Sequence, residues 1–202
     1  MSHLNLMCQA HYNLSMSRSR TSSRQALIDT AIQILAAQPG ASLEEIARGA
    51  GVGRATLYRH FGSRDGLVRE LALASIAETD EAMARIPSTG SATELLRASL
   101  EAIVPLGDRF HFLSQENQVM QDSEIAPQIE RQLQELAKLV AAVKAEGALA
   151  PDVPDAWAVA AIDALIYAAW SSVHGGWIAR REAPGLVFRT ILHGLGPSKT
   201  TE

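Results

Sequence analysis

The chain has 202 residues, of which 47% are hydrophobic and only 5% aromatic. This length allows one large domain or two small ones, and it suffices to bury a sizeable core. Abundant alanine with few clusters of β-branched residues favours helices over strands. The single cysteine, Cys8, excludes an intrachain disulfide framework and a paired-cysteine metal site. We therefore expect a reducing, cytoplasmic setting, with no metal and no other cofactor.

Charge is distributed unevenly along the chain, although the formal net charge is only −4. Residues 17–70 carry eight arginines and five acidic residues, whereas residues 71–202 carry ten basic and 17 acidic residues. A basic N-terminal third on an acidic body indicates that one end meets a polyanion. A plain solvated surface would have the same composition, so the signal needs support from a motif.

Targeting and membrane signals are weak. The first 20 residues contain no charged segment followed by an apolar run, so no secretory signal is predicted. The segment nearest in composition to a membrane span is AWAVAAIDALIYAAWSSVHGGWI, residues 156–178. Asp163, near its middle, would cost roughly 2.5–3.5 kcal/mol in a bilayer. We therefore predict no membrane association.

The N-terminal third is predicted to contain three helices after a tail. Residues 1–20 lack periodicity and are expected to be disordered, and their SRSR stretch is either a basic arm on DNA or a plain linker. Apolar residues then recur at helical spacing until Pro39. A Ser42–Glu45 capping box begins a second helix that Gly51 ends, and GRATLYRHF forms a third.

The rest of the chain is predicted to be helical throughout. A long fourth helix reaches about Arg85, and residues 86–91 (IPSTGS) form the best linker candidate. Further helices are predicted over residues 92–104, 109–120, 124–146, 156–179 and 184–195. With no persuasive strand and no internal repeat, the sequence predicts an all-α fold.

The glycine-rich stretch GAGVGRATLYRHF, residues 49–61, allows two functional interpretations. A dinucleotide-binding loop requires a preceding strand and a third glycine, but a capped amphipathic helix precedes this stretch and Thr56 occupies the third position. A helix-turn-helix uses every feature, because Gly51 suits a helix stop with positive φ and a helix resumes within three residues. A helix hairpin with a hydrated basic face is the structural alternative.

The phase of the third helix defines its outward surface. With Leu57 at the centre of the buried face, steps of 100° place Ala55 and Arg59 on the opposite side. Groups suited to a major groove then face outward: Arg54, Ala55, Thr56, Tyr58, Arg59 and His60. Guanidinium groups contact guanine edges and phosphates, hydroxyls contact phosphate oxygens, and alanine permits close approach or contacts a thymine methyl.

Residues 21–71, and above all the core IARGAGVGRATLYRHFGSRDGLV, resemble the N-terminal domain of the TetR family of bacterial transcriptional regulators. The remainder is similar to that family only in length, helicity and helix order. Gly53 stands where serine or threonine is common in the family, so a possible cap is lost. Arg54 and Arg64 stand where lysine is common, which keeps the charge.

The resemblance implies a role for each matching position. The backbone contacts would come from Ser42, Thr56, Tyr58 and His60, and Arg64 would bind phosphate at the start of the fourth helix. Arg54, Ala55 and Arg59 would face bases. The implied organisation is a helix-turn-helix DNA-binding domain (21–70) joined through the long fourth helix to a larger ligand-binding and dimerisation domain (71–202).

The last two predicted helices, 156–179 and 184–195, are implied by the resemblance to pair with their copies in a homodimer. Small side chains that permit close packing recur in the first of them: Ala158, Ala161, Ala164, Ala168 and Ser172. The alternative is that both helices are simply the core of one subunit. A pocket for a small-molecule effector would lie among the middle helices, with the candidate liners Phe110, Phe112, Met120, Tyr167 and Trp170; core packing is the alternative for each.

The predicted function is therefore a cytoplasmic, ligand-responsive transcriptional regulator, a repressor that a small molecule releases from double-stranded operator DNA. No GxSxG-type motif or metal spacing supports catalysis, so the chain is not expected to be an enzyme. Two alternatives are a small helical enzyme or ligand-binding protein without an operator, and an architectural DNA binder without sequence preference.

Overall fold

The computed structural model describes residues 24–107, 112–113, 116 and 119–197. Within these ranges it contains eight α-helices and no strand, which confirms the predicted all-α fold. The helices are α1 (24–37), α2 (Leu43–Gly49), α3 (Arg54–Phe61), α4 (Arg64–Ala84), α5 (Ala92–Ile103), α6 (Ile125–Ala145), α7 (Asp155–His174) and α8 (Ala183–Leu195). The predicted tail, residues 1–20, lies outside the described residues.

The chain divides into two compact units, Met1–Leu71 and Ala72–Glu202. In the first unit, α1 to α3 and the start of α4 bury the apolar positions that recur at helical spacing. The most buried of these are Ala31, Ile32, Leu35, Ile46, Leu57, Leu67, Val68 and Leu71. Gly49 lets α2 approach α1 closely, because a Cβ there would lie 2.5 Å from the Cδ1 atom of Ile34.

The second unit is built from four main helices around one apolar core. α5 and α7 each pack against both α6 and α8. Residues from all four helices form this core, among them Leu100, Val140, Ile162 and Ile191. The Glu146 carboxylate, just after α6, accepts hydrogen bonds from the Ala92 and Thr93 backbone N–H groups at the start of α5. The free N-terminal donors of α5 are thereby satisfied by another helix.

Two predicted helix boundaries are wrong. The described part of the predicted 109–120 helix is not α-helical: residues 112–113 and Val119–Gln121 are 3₁₀, and Glu116 is irregular. The Asp122 carboxylate accepts from the N–H groups of Glu124 and Ile125, which favours a break before α6. The helix predicted over 156–179 ends at His174, since Gly176 has a φ of +73°.

By length and hydropathy alone, α7 could cross a membrane: its mean hydropathy reaches 1.4, and only 17% of that window is buried within the chain. Its buried side carries Ala158, Ile162, Ile166 and Ala169, which belong to the core of the second unit. The opposite side of α7 is therefore apolar and exposed in a single subunit.

Candidate DNA-recognition surface and effector site

The turn between α2 and α3 is a helix stop followed by an immediate restart. The N–H of Gly51 donates to the Arg48 carbonyl at 3.1 Å, and the N–H of Val52 donates to the Ala47 carbonyl at 3.0 Å. Gly51 has a φ of +66°, which L residues rarely adopt. These bonds form a Schellman motif, so the predicted stop at Gly51 is confirmed. Gly53 begins α3 without a side-chain cap, as its lack of a hydroxyl predicts.

The start of α2 is held by the predicted capping box. The Ser42 backbone N–H and hydroxyl both donate to the Glu45 carboxylate at 2.7 Å, and the Glu45 N–H donates back to the Ser42 hydroxyl at 3.2 Å. The backbone and then the side-chain hydrogen bond from Ser42 lower the pKa of Glu45. Ser42 is exposed, so its position at the head of α2 remains open to solvent.

The observed phase of α3 is the predicted one. Leu57 and Phe61 are buried, whereas α3 presents an exposed surface formed by Arg54, Ala55, Tyr58 and Arg59. Thr56 and His60 are half-buried at the flanks of this surface. Arg59 makes no hydrogen bond or ion pair with any residue in the described part of the chain. We call the exposed and flanking side chains of Arg54–His60 the recognition surface.

Arg54 and Tyr58 form a pair one helical turn apart on the recognition surface. The Arg54 guanidinium donates to the Tyr58 hydroxyl at 3.2 Å and lies 5.2 Å from the ring centroid. Glu44 of α2 lies 3.8 Å from the same guanidinium, an ion pair that the sequence did not reveal. The hydrogen bond to Tyr58 and then the charge of Glu44 raise the pKa of Arg54. The pair therefore presents a fixed cation next to a phenol.

The start of α4 is tied back to the loop before α2. The half-buried Arg64 guanidinium donates to the carbonyl oxygens of Pro39, at 2.9 Å, and Ala41, at 3.3 Å. Ser63 caps the helix by accepting from the Gly66 N–H at 3.0 Å. Gly66 is required at its position, because a Cβ there would lie 2.0 Å from the Phe61 carbonyl oxygen. Arg64 thus fixes the loop that precedes Ser42.

A second arginine, which the sequence analysis did not single out, ties α1 to α4. Arg24 pairs with Glu70 at 2.7 Å and lies 5.4 Å from the centroid of the Phe61 ring. No local pattern in the sequence indicates this contact, because the partners lie 37 to 46 positions apart along the chain. Its effect is to hold the base of the recognition helix, α3.

The candidate effector residues do not all share one environment. Phe112 is fully buried, and Trp170 is half-buried with its indole Nε1 inaccessible and without a hydrogen-bond partner among the described residues. The Trp170 ring lies flat against Gly107, where a Cβ would come within 1.9 Å of ring atoms. Tyr167 lies instead on the outward side of α7 and is 40% exposed. Phe110 and the Met120 side chain lie outside the described residues.

An open groove of about 500 Å³ lies between α6 and α7. Its walls carry three carboxylates, Glu130, Asp155 and Asp163, and burial raises the pKa of Asp163. None of the predicted effector residues lines this groove. No group of three or more possible metal ligands occurs within the described residues.

Comparisons with known proteins agree with this geometry. Residues 27–71 match the family described as bacterial regulatory proteins, tetR family. The HTH-type transcriptional repressor LfrR of Mycolicibacterium smegmatis is 28% identical over 180 residues, which cover 89% of this chain and 93% of LfrR. The structure of LfrR in complex with proflavine superposes with a TM-score of 0.74 at 26% identity, covering 89% of this chain and 99% of that one. The ketosteroid transcriptional regulator KstR2 of Mycobacterium tuberculosis shares the fold, with a TM-score of 0.65 at 22% identity, over 87% of this chain and 95% of that one.

Proposed function

We propose that this chain is a member of the TetR family of bacterial transcriptional regulators and acts as a homodimeric repressor that a small molecule releases from its operator. The recognition surface is the main support for this function: a short helix, anchored by the buried Leu57, presents arginines, a phenol and one small residue to solvent. Chemical groups of this kind read base edges and hold phosphates in a major groove. Members of the family act as transcription factors, and we assign no catalytic role to this chain.

Within the recognition surface we propose two classes of contact. Arg59, exposed and without a partner in the described part of the chain, would reach base edges together with Arg54 and Ala55. Phosphates would be held by Ser42, Thr56, Tyr58, His60 and Arg64. The contacts of Arg64 to the Pro39 and Ala41 carbonyls fix the position of its guanidinium at the start of α4.

Substitution of Arg59 and of Arg64 tests the division into base contacts and phosphate contacts. Arg59→Ala is expected to relax base preference at one position of each half-site, at about 1–3 kcal/mol per lost bidentate contact. Arg64→Ala is expected to weaken all duplexes about equally and to reduce the salt slope by about 2, because each of the two heads loses one phosphate contact. Both variants would be measured on a selected operator, its point mutants and random duplex. Identical specificity profiles for the two variants would contradict the assignment.

Two recognition surfaces are needed to read an operator of two-fold symmetry. The half-sites would lie one helical turn, about 34–36 Å, or a multiple of it apart. We propose that α7 and α8 form the dimer interface, because α7 presents a largely apolar outward side that the described part of its own subunit leaves exposed. The exposed residues of this side are Trp157, Ala160, Ala164, Tyr167, Ala168 and Ser171.

A set of alanine-to-glutamate variants tests the dimer. Ala164→Glu would bring two symmetry-related carboxylates into one apolar interface, and burying unpaired charge costs several kcal/mol. A helical, stable monomer with sharply reduced operator affinity is expected, because one head makes only half of the contacts. Ala158, on the same helix, is buried in its own subunit, so Ala158→Glu should misfold. Ala141→Glu, on the exposed side of α6, should remain dimeric. A dimeric Ala164→Glu variant that binds its operator would refute the interface.

The effector site is proposed around Trp170 and Phe112. The buried indole N–H of Trp170 has no acceptor among the described residues, and leaving such a donor unsatisfied costs about 1–3 kcal/mol. A ligand with an acceptor atom and a flat apolar body would satisfy this donor and pack on the ring. Release from DNA requires that the ligand bind the two conformations of the dimer unequally.

Proflavine, which occupies the solved LfrR structure, is a suitable first probe. We expect calorimetric titration without DNA to detect binding, and Trp170→Phe to weaken it about fivefold, because the smaller phenyl ring loses about 1 kcal/mol of apolar stacking surface. Tyr58→Phe, an aromatic change in the first unit, should leave the affinity unchanged, because the titration contains no DNA. Equal affinities for Trp170→Phe and the unmodified chain would contradict the assignment.

A gel-shift experiment separates this function from the alternatives. A repressor should prefer its operator over random DNA by at least about a thousandfold at physiological salt. An architectural DNA binder would show no such preference, and a helical enzyme or ligand-binding protein would show no shift at all. The duplex would be taken from the region upstream of the coding sequence or selected from a random library.

A further inference from the structure

We infer that the two subunits pair their α7 helices antiparallel about a two-fold axis at Tyr167, so that Trp157 of each subunit packs against Trp177 of the other. This register rests on the proposed dimer and goes beyond it by fixing which residues meet. It follows from the positions of three exposed aromatic side chains.

Three large aromatic residues are exposed along α7 and just beyond it. Trp157 is 63% exposed, Tyr167 is 40% exposed and Trp177 is 79% exposed. Ten positions separate each from the next, and steps of 100° put Trp157 and Tyr167 about 80° apart on the helix. Both lie on the side opposite the buried residues Ile162 and Ala169. Exposed rings of this size are unusual in a monomer and indicate an interaction surface.

The end of α7 fixes where Trp177 stands. The N–H of Gly176 donates to the Val173 carbonyl at 3.1 Å, and the N–H of Trp177 donates to the Ser172 carbonyl at 2.9 Å. With Gly176 at a φ of +73°, these bonds form a Schellman motif. The Trp177 ring lies over Gly175, where a Cβ would be 3.3 Å from ring carbon atoms. Trp177 is therefore held at the end of the helix.

A two-fold axis turns this spacing into a match between two copies. In an antiparallel pair, each residue meets the residue of the partner that lies equally far on the other side of the axis. An axis at Tyr167 brings the two Tyr167 rings together and sets Trp157 against the partner's position 177. The two-fold axis thus generates the same Trp157–Trp177 contact at both ends of the helix pair, so all four tryptophan rings are covered.

The side chains between the aromatics permit the close approach that this register needs. Ala160, Ala164 and Ser171 are exposed on the same side of α7. Small residues allow two helix axes to approach to about 8 Å where they cross. With a shallow crossing angle of about 20°, the helices are displaced sideways by only roughly 5 Å more at a point ~15 Å from the crossing, near each tryptophan. An indole side chain spans that gap.

Charges at the two ends of the helix support a second copy as the occupant. The proposed register sets Asp155, which pairs with Lys144 of its own chain at 2.5 Å, opposite position 179 of the partner, next to Arg180 in the sequence. Asp163 would lie opposite Ser171 rather than opposite another carboxylate. Within Asp155–His174, this register therefore sets no carboxylate opposite another carboxylate.

The exposed aromatic area also fits the size of a stable dimer interface. With about 150–250 Å² for each fully buried ring, the exposed fractions of the three residues amount to roughly 550–900 Å² for two copies. A standard stable interface buries about 1,200–2,000 Å² in total. The aromatics would supply about half of that area.

Cysteine cross-linking of the full chain tests the register. In a Cys8→Ser background, Tyr167→Cys alone should cross-link rapidly across the axis. A mixture of Trp157→Cys and Trp177→Cys subunits should cross-link at least tenfold faster than either variant alone, since like positions would be roughly 30 Å apart along the helix. Ala164→Cys is the control: Ala164 lies about one helical turn before Tyr167, so it would cross-link with its copy if the two-fold axis passed there instead. Faster cross-linking of Ala164→Cys than of Tyr167→Cys, or of Trp157→Cys with itself, would overturn the register.

Sedimentation and fluorescence separate failure of the register from failure of the dimer. A monomer at all concentrations would refute the dimer itself, whereas a dimer with another cross-linking pattern refutes only the register. In Trp170→Phe protein, only Trp157 and Trp177 emit. Their emission should shift to longer wavelength as dilution dissociates the dimer. Emission typical of exposed indole in the intact dimer would overturn the inference and leave this face to a different partner.

Discussion

Removal of the Tyr58 hydroxyl offers a sharp test of the recognition surface. Tyr58 is 41% exposed, and its phenol oxygen accepts a hydrogen bond from Arg54 at 3.2 Å. The ring belongs to the outward side of α3, and the buried anchor of that helix is Leu57. Tyr58→Phe therefore keeps the ring, the cation above it and the core, and it removes one oxygen atom.

The expected loss in operator affinity follows from that single atom. A hydrogen bond from the phenol to a phosphate oxygen contributes about 1 kcal/mol. Two heads bind one operator, so the dimer should lose about 2 kcal/mol, or about 30-fold in affinity at 25 °C. Stability should hardly change, because the bond from Arg54 is exposed and the freed guanidinium retains Glu44 at 3.8 Å.

The assay is fluorescence anisotropy on a labelled operator, with thermal unfolding followed by circular dichroism on the same preparations. Glu101→Gln is the control, because Glu101 is exposed, belongs to the second unit and lies outside the proposed recognition surface and the proposed dimer interface. The control should bind DNA as the unmodified chain does. Unchanged affinity of Tyr58→Phe, together with a lowered melting temperature, would show that Tyr58 serves the core and would refute the reasoning.

Two further substitutions test the local geometry of each unit. Gly51→Ala should lower the stability of the first unit by about 1–2 kcal/mol, because a residue with a Cβ pays that cost in the left-handed region; Gly40→Ala, with open space around it and no positive φ, should change the melting temperature little. Glu146→Gln should lower the melting temperature at pH 7, since hydrogen bonds from the Thr93 side chain and then the Ala92 and Thr93 N–H groups lower the pKa of this carboxyl below 4.5. A lowered pKa stabilises the fold above the unfolded value, so the difference from the unmodified chain should disappear as the pH falls through and below 4.5. The exposed Glu101→Gln is the control, and a difference that persists at low pH would contradict the capping role of Glu146.

The features that the sequence predicts well depend on neighbouring residues. The phase of α3 follows from the spacing of Leu57 and Phe61, and the turn at Gly51 follows from the need for a positive φ between two helices. Contacts between distant segments leave no such pattern. The acceptors of Arg64 are main-chain carbonyls more than 20 positions away along the chain. Because every residue has a main-chain carbonyl, the sequence does not indicate which ones an arginine contacts. The likeness to a known family therefore identified Arg64 but not what it touches.

The second unit shows a different limit, which comes from alanine. Ala158 and Ala164 are the same residue in one helix, yet Ala158 is buried and Ala164 is exposed. Because alanine fits either environment, a helix rich in it has no clear apolar face, and the predicted stripe of small residues mixed the two sides of α7. Gly175 and Gly176 offered a local signal for the end of this helix, but the apolar Trp177 and Ile178 beyond them favoured an extension to residue 179.

The same property of alanine explains why α7 resembles a membrane helix. One side must fill the core of its own subunit, and the other must suit a flat apolar contact, so few positions are left for charge. A lipid-facing surface would be uniformly apolar, but Asp163 lies among the exposed residues of α7 and Asp155 begins the helix. A bilayer would penalise Asp163 at mid-helix by roughly 2.5–3.5 kcal/mol. Asp155 pairs with Lys144 of its own chain, so Asp163 is the charge that decides between the two partners. In the proposed dimer an antiparallel copy would set Asp163 opposite a serine, at the edge of a contact that water reaches, whereas a bilayer would surround it with hydrocarbon.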